Sequence, residues 1–116
     1  MPQYLVAVHH PIDFEPASES EQTRRDISAL NVKMRAAGIV VFVGGLDRSS
    51  TAKSVRLKPD GGLLVTDGPY IETKEQMAGF ALIEARDMAE SVAIAGEDPM
   101  AEYGTIEVRP VYEIPA

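Results

Sequence analysis

The sequence predicts an α+β domain on three observations. Two segments of helical periodicity each lie between β-rich runs, two further β-rich runs flank a Gly-rich turn, and several strands are apolar at odd and even positions alike. The first run, Tyr4 to Val8, is short, apolar and rich in valine, and a polar, proline-containing stretch from His9 to Pro16 follows it, so a strand ending near His9 feeds a loop. Ser18 and Glu21 form a capping-box pair. Thr23, Ile27, Leu30, Met34 and Ala37 then recur at spacings of four and three, which predicts an amphipathic helix ended by Gly38. Ile39 to Val43 is an unbroken β-branched and aromatic run, and its lack of alternation predicts a strand buried on both faces.

Ser54 to Leu57 and Leu63 to Thr66 flank Lys58-Pro59-Asp60-Gly61-Gly62, whose Asp-Gly and Gly-Gly steps supply hairpin turn chemistry. After a polar segment with a Gly-Pro turn, Gly79 to Ile83 resumes β character. Asp87 with Glu90 caps a second helical pattern through Met88, Val92 and Ala95, broken by Gly96 and Pro99, and the last strand runs from Thr105 to Tyr112. The order is strand, helix, strand, hairpin, strand, helix, strand. That is the ferredoxin-like split βαβ arrangement with an inserted hairpin. Two helices cover one face of such a sheet, so the other apolar face is expected to pack on a second copy, giving a homodimeric α/β barrel.

At 116 residues the chain is one domain, with room to bury about two thirds of its unfolded surface and none for a second core. It holds no cysteine, which excludes disulfides, thiol nucleophiles and thiolate metal sites. Eighteen acids against eleven bases give −7, the wrong sign for a nucleic-acid footprint. The imbalance is concentrated. From Glu84 onward eight acids face only Arg86 and Arg109. The longest apolar stretch, Ala36 to Leu46, holds three glycines in eleven residues and falls far short of the roughly 20 needed to span a bilayer. With no basic leader at Met1-Pro2-Gln3, the expected location is cytoplasmic, without membrane contact. Neither a Walker-type loop nor G-x-G-x-x-G occurs, so no nucleotide cofactor is indicated.

The segment Asp67-Gly68-Pro69-Tyr70-Ile71-Glu72-Thr73-Lys74-Glu75-Gln76 resembles the D-G-P-F-x-E-T-K-E-Q signature of the DGPF family within the YCII-related superfamily, with Tyr70 in place of the usual Phe. Gly45-Leu46 through Ala52, Gly79 to Ile83 and Tyr103 to Pro110 resemble further landmarks in the family's order, so the likeness spans roughly residues 36 to 113. It implies a ferredoxin-like fold and a dimeric barrel. It implies little chemistry. Some members are encoded beside, or fused to, extracytoplasmic-function sigma factors, which implies an accessory or sensor role with a partner of that type. More distant YCII-related proteins carry a histidine and an aspartate suspected of catalysis, whereas DGPF members generally lack a histidine at the end of the first strand, so His9 and His10 depart from the motif.

Asp67-Gly68-Pro69-Tyr70 reads as a rigid turn that aims Asp67 and Tyr70 at one spot. In extended chain Glu72 and Lys74 share a side, where a carboxylate beside an ammonium can be tuned for proton transfer. The candidate catalytic groups are therefore Asp67, Glu72, Lys74 and His9, and the candidate ligand-binding groups are Tyr70, Arg109 and Arg56, each arginine able to fork onto a ligand carboxylate. The competing reading makes Asp67, Glu72 and Lys74 a network that pins the loop or the dimer, His9 and His10 surface residues, and Arg109 half of an internal ion pair. Adjacent strand residues face opposite ways, so at most one of His9 and His10 enters a given cleft. His9, His10, Asp13 and Glu15 match no known metal-ligand spacing, and no metal is expected. Three functions remain open: a small-molecule enzyme working by acid/base chemistry in the barrel mouth, a non-catalytic binding or accessory module, and a signature that only builds the dimer.

Overall fold

The computed structural model describes residues 1–14, 19–69 and 74–115, and its architecture is mixed α+β with two helices and mainly antiparallel sheet. Strand β1 (Gln3–Pro11) leads into helix α1 (Glu21–Ala36), strand β2 (Val40–Gly45), a hairpin of β3 (Lys53–Leu57) and β4 (Leu63–Asp67), strand β5 (Glu75–Glu84), helix α2 (Met88–Ala95) and strand β6 (Thr105–Val111). Single turns of 3-10 helix lie at Ser49–Thr51 and Pro99–Glu102. The four long strands form one antiparallel sheet in the order β2-β5-β1-β6, and β3 with β4 forms a separate two-stranded sheet.

Local chemistry sets most boundaries. The hydroxyl of Ser20 accepts from the Thr23 N–H at 3.0 Å and so caps α1, two residues after Ser18, which lies outside the described residues. Gly38 takes φ +72° and turns the chain out of α1 into β2. Asp87 caps α2 by accepting from the Glu90 N–H at 2.9 Å. In the hairpin Lys58 N–H donates to Gly62 O at 2.7 Å across the turn, with Gly61 at φ +91°.

The core lies between one face of the sheet and α2. Tyr4 and Val6 of β1, Ala81 and Ile83 of β5, and Ala85 and Ala95 form its buried cluster, flanked by Val43, Ile94, Ile106 and Val108. Helix α1 does not seat on this core along its length. Thr23 Oγ1 hydrogen-bonds the Tyr103 hydroxyl at 3.2 Å near its start, and Lys33 meets Glu97 at 3.3 Å while Ile39 N–H donates to Met34 O at 3.2 Å near its end.

The expectation of a β2 buried on both faces is corrected. As an edge strand with a bulge at Val41, β2 has only β5 beside it, and Phe42 is 55% exposed. Phe42 stacks on Phe80 at 5.7 Å, and these rings share the helix-free face with Leu5, Ala7 and Leu82, their register partners across the sheet. The bulge divides the run between two surfaces, Val40 and Val43 pairing with Ile83 and Ala81 on the core side and Phe42 with Leu82 on the helix-free side, and only the first is covered within the chain.

Candidate functional site

Beneath α1 the sheet and helix enclose a cavity of about 690 Å³. Its apolar wall comes from alternating residues of β1 (Val6, Val8) together with Val43, Ile83, Ile27, Leu30, Met34 and Ile94. Most of the polar lining gathers where β1 and β2 finish and β5 begins, at His10, Asp47, Arg48, Ser49, Ser50 and Gln76, joined by Asp98, and Glu19 and Asn31 add polar groups on the α1 side. A volume of this size with a small polar set at one end is the usual form of a small-molecule site.

His10 is half-buried, and its Nδ1 donates to the Pro11 carbonyl at 3.1 Å. A carbonyl only accepts, so the Nδ1 carries the proton and the neutral ring keeps its lone pair on Nε2, the form a general base requires. The ring lies 4.7 Å from Phe14, which lies 5.2 Å from Tyr103, and this aromatic file leads to the tether on α1. Asp98 caps the turn Pro99–Glu102 by accepting from the Met100 N–H at 2.9 Å. Burial pushes its carboxyl above the ordinary 3.8, the capping bond opposing in part.

The sequence-predicted groups distribute differently. His9 lies within β1, not at its end, and faces away from the cavity, with Nε2 3.4 Å from Glu107 Oε1 on the helix-free face. The parity argument thus selects His10 for the cleft in place of His9. A bulge at Ala78 of β5, between the pairs Val8–Gly79 and His9–Met77, leaves the alternation of β1 intact. Asp67 ends β4, exposed and ion-paired with Lys53 across the hairpin. Arg56 on β3 and Arg109 on β6 are exposed and far apart in the topology, Arg109 opposite Leu5 on the helix-free side. Tyr70 and Glu72 lie outside the described residues.

Both flanks of that segment are anchored. Gly68, at φ +93°, donates its N–H to Ala52 O at 2.8 Å and receives the Ser54 hydroxyl on its carbonyl at 2.8 Å, while the Lys74 carbonyl accepts from Ile12 N–H at 2.9 Å. Pro69 lines the cavity. So the turn reaches the rim, although Asp67 itself is engaged on the hairpin. Asp98 was not singled out from sequence. The Asp-Pro step announces a cap, but its place in the cavity wall depends on how the chain between α2 and β6 folds back on α1. Among the described residues no three His, Asp or Glu side chains gather as metal ligands, and no helix is long and apolar enough to cross a membrane.

The model of the YCII-related domain matches residues 3–115, nearly the whole chain. The chain belongs to the YCII-related domain family. It is also 37% identical over 95 residues to an uncharacterised protein of Rhizobium meliloti (strain 1021), the match covering 80% of this chain and 76% of that one. That relative is itself uncharacterised, so the chemistry of this YCII-related chain is read from the cavity.

Proposed function

We propose that this YCII-related protein binds a small organic molecule in the cavity beneath α1 and acts on it by acid/base chemistry, with His10 as the proton acceptor. The observation that carries the reading is that one cavity is lined both by His10, whose Nδ1 donates to the Pro11 carbonyl and so leaves Nε2 as the ring's acceptor, and by a desolvated carboxyl, Asp98. A histidine and a desolvated carboxyl lining one cavity are the ordinary raw material of proton transfer. The apolar wall excludes water and fits a ligand with a hydrophobic body, its polar end toward His10, Ser49 and Gln76. Of the signature, Pro69 lies in the cavity lining and Asp67 holds the hairpin through Lys53.

Within the family we infer the DGPF type, supported by Asp67 to Gln76. The strand order β2-β5-β1-β6 with both helices contributing to one side supports the ferredoxin-like split βαβ arrangement. The helix-free face around Leu5, Phe42, Phe80 and Leu82 supports pairing of two copies face to face, which would put His9, Glu107 and Arg109 at the joint between them.

The test is a thermal-shift screen with aromatic and short-chain carboxylates, alcohols and amines, run on the native protein and on Val8→Trp, which fills the cavity. A hit should raise the melting temperature of the native protein and leave Val8→Trp unmoved. Turnover of such a hit should fall at least 100-fold in His10→Ala. Equal stabilisation of Val8→Trp would place the ligand elsewhere, and undiminished turnover in His10→Ala would remove the histidine from the chemistry.

A further inference from the structure

The polar groups of the cavity divide by what they can offer a ligand. The His10 ring spends its donor on the Pro11 carbonyl and keeps Nε2 as an acceptor. Glu19, Asp47 and Asp98 are carboxylates, acceptors only when ionised, and among the described residues Arg48 is the one cation in the lining. The excess of acceptors is not cancelled within the chain. Asp98 is half-buried and receives the Met100 N–H on Oδ1 at 2.9 Å, while among the described residues no donor reaches its second oxygen and no cation pairs with it. Glu19, also half-buried, has no cationic partner among them either. Outside the cavity the chain does pair its acids, Glu97 with Lys33, Asp67 with Lys53 and Glu90 with Arg86. A carboxylate partly withdrawn from water with no counter-ion is destabilising, and a cation entering beside it offsets that loss of hydration.

We propose that the ligand of this cavity is a primary amine on a hydrophobic body, held as its ammonium by Asp98. The inference rests on the cavity reading above and names the ligand class. An ammonium brings three N–H donors and no acceptor, the complement of an acceptor-rich lining, and the wall of Val6, Val8, Leu30 and Met34 receives the hydrocarbon. A carboxylate on the same body meets the reverse, a further negative charge set against acceptors and a single arginine. An alcohol, with one donor and no charge, falls between. The net charge of −7 on the whole chain favours the same sign of ligand at long range.

Two matched series test this: phenethylamine, phenethyl alcohol and phenylacetate, and hexylamine, hexanol and hexanoate, each titrated calorimetrically into the native protein at pH 7 and low salt. In at least one series the amine should bind roughly tenfold more tightly than the alcohol, with the carboxylate weakest. Asp98→Asn keeps an oxygen for the Met100 N–H and removes the charge, so in this variant the amine's preference over the alcohol should fall to within about threefold. Val8→Trp, filled and with native circular dichroism, should bind no member. An alcohol or carboxylate that binds the native protein as tightly as its amine, and is lost in Val8→Trp, overturns the amine class and leaves the cavity reading standing. A preference for the amine that persists in Asp98→Asn, or amine binding that persists in folded Val8→Trp, overturns the inference. Failure of all six compounds to bind the native protein overturns it together with the cavity reading.

Discussion

At the scale of single residues, two positions carry tests that owe nothing to function. A Cβ added at Gly104 would lie 1.9 Å from the His9 carbonyl oxygen and 2.9 Å from the His10 Cα, both backbone, so the entry to β6 has no room for a side chain. Gly104→Ala should cost about 3 kcal/mol, read as a lowered urea midpoint at unchanged slope. Asp98 bears on pH. Its folded pKa is raised, so between 3.8 and that raised value the folded state holds more proton than the unfolded, and this group's contribution to stability is lost as pH rises through the window. Asp98→Asn keeps a capping oxygen for the Met100 N–H and removes the ionisation. It should match the native protein below pH 3.8 and melt higher at pH 7, by differential scanning fluorimetry; equal melting temperatures at pH 7 would count against a desolvated carboxylate. The choice between His9 and His10 was half legible in the sequence. Adjacent strand positions must part, but which one enters the cavity follows from the register with β5, a relation between residues some 70 positions apart.

At the scale of elements, what local chemistry decides could be read and what distant pairing decides could not. The helix stop at Gly38, the cap at Asp87 and the hairpin around Asp60-Gly61 rest on residues within a few positions of one another, and the structure places all three there. The run Ile39 to Val43 misled because an uninterrupted apolar strand reads the same whether both faces are covered or one is left bare. Only the strand order, which depends on crossovers, makes β2 an edge. The cavity was equally hidden, since it exists because α1 stands off the sheet. Asp87→Ala removes the acceptor for the Glu90 N–H and should destabilise by about 1 kcal/mol in chemical denaturation. Ile83→Ala, in the most fully buried strand position, should cost about 3–4 kcal/mol by the same measurement.

At the scale of the whole molecule, the sheet separates two environments. One face holds the core and the cavity, and the other presents Leu5, Phe42, Phe80 and Leu82 to the outside. A single charge there discriminates between a covered and an uncovered face: Phe42→Asp should leave the circular dichroism unchanged and weaken self-association at least tenfold in sedimentation equilibrium, whereas an unaltered constant would show that this face joins nothing. The attachment of α1 at its two ends, with a cavity under its middle, has a dynamic consequence of its own. A beam held only at its supports bends most at mid-span, so the amides around Ile27 to Asn31 should exchange with deuterated solvent ahead of those in the middle of β1 and β5, and should slow when a molecule props the span from below.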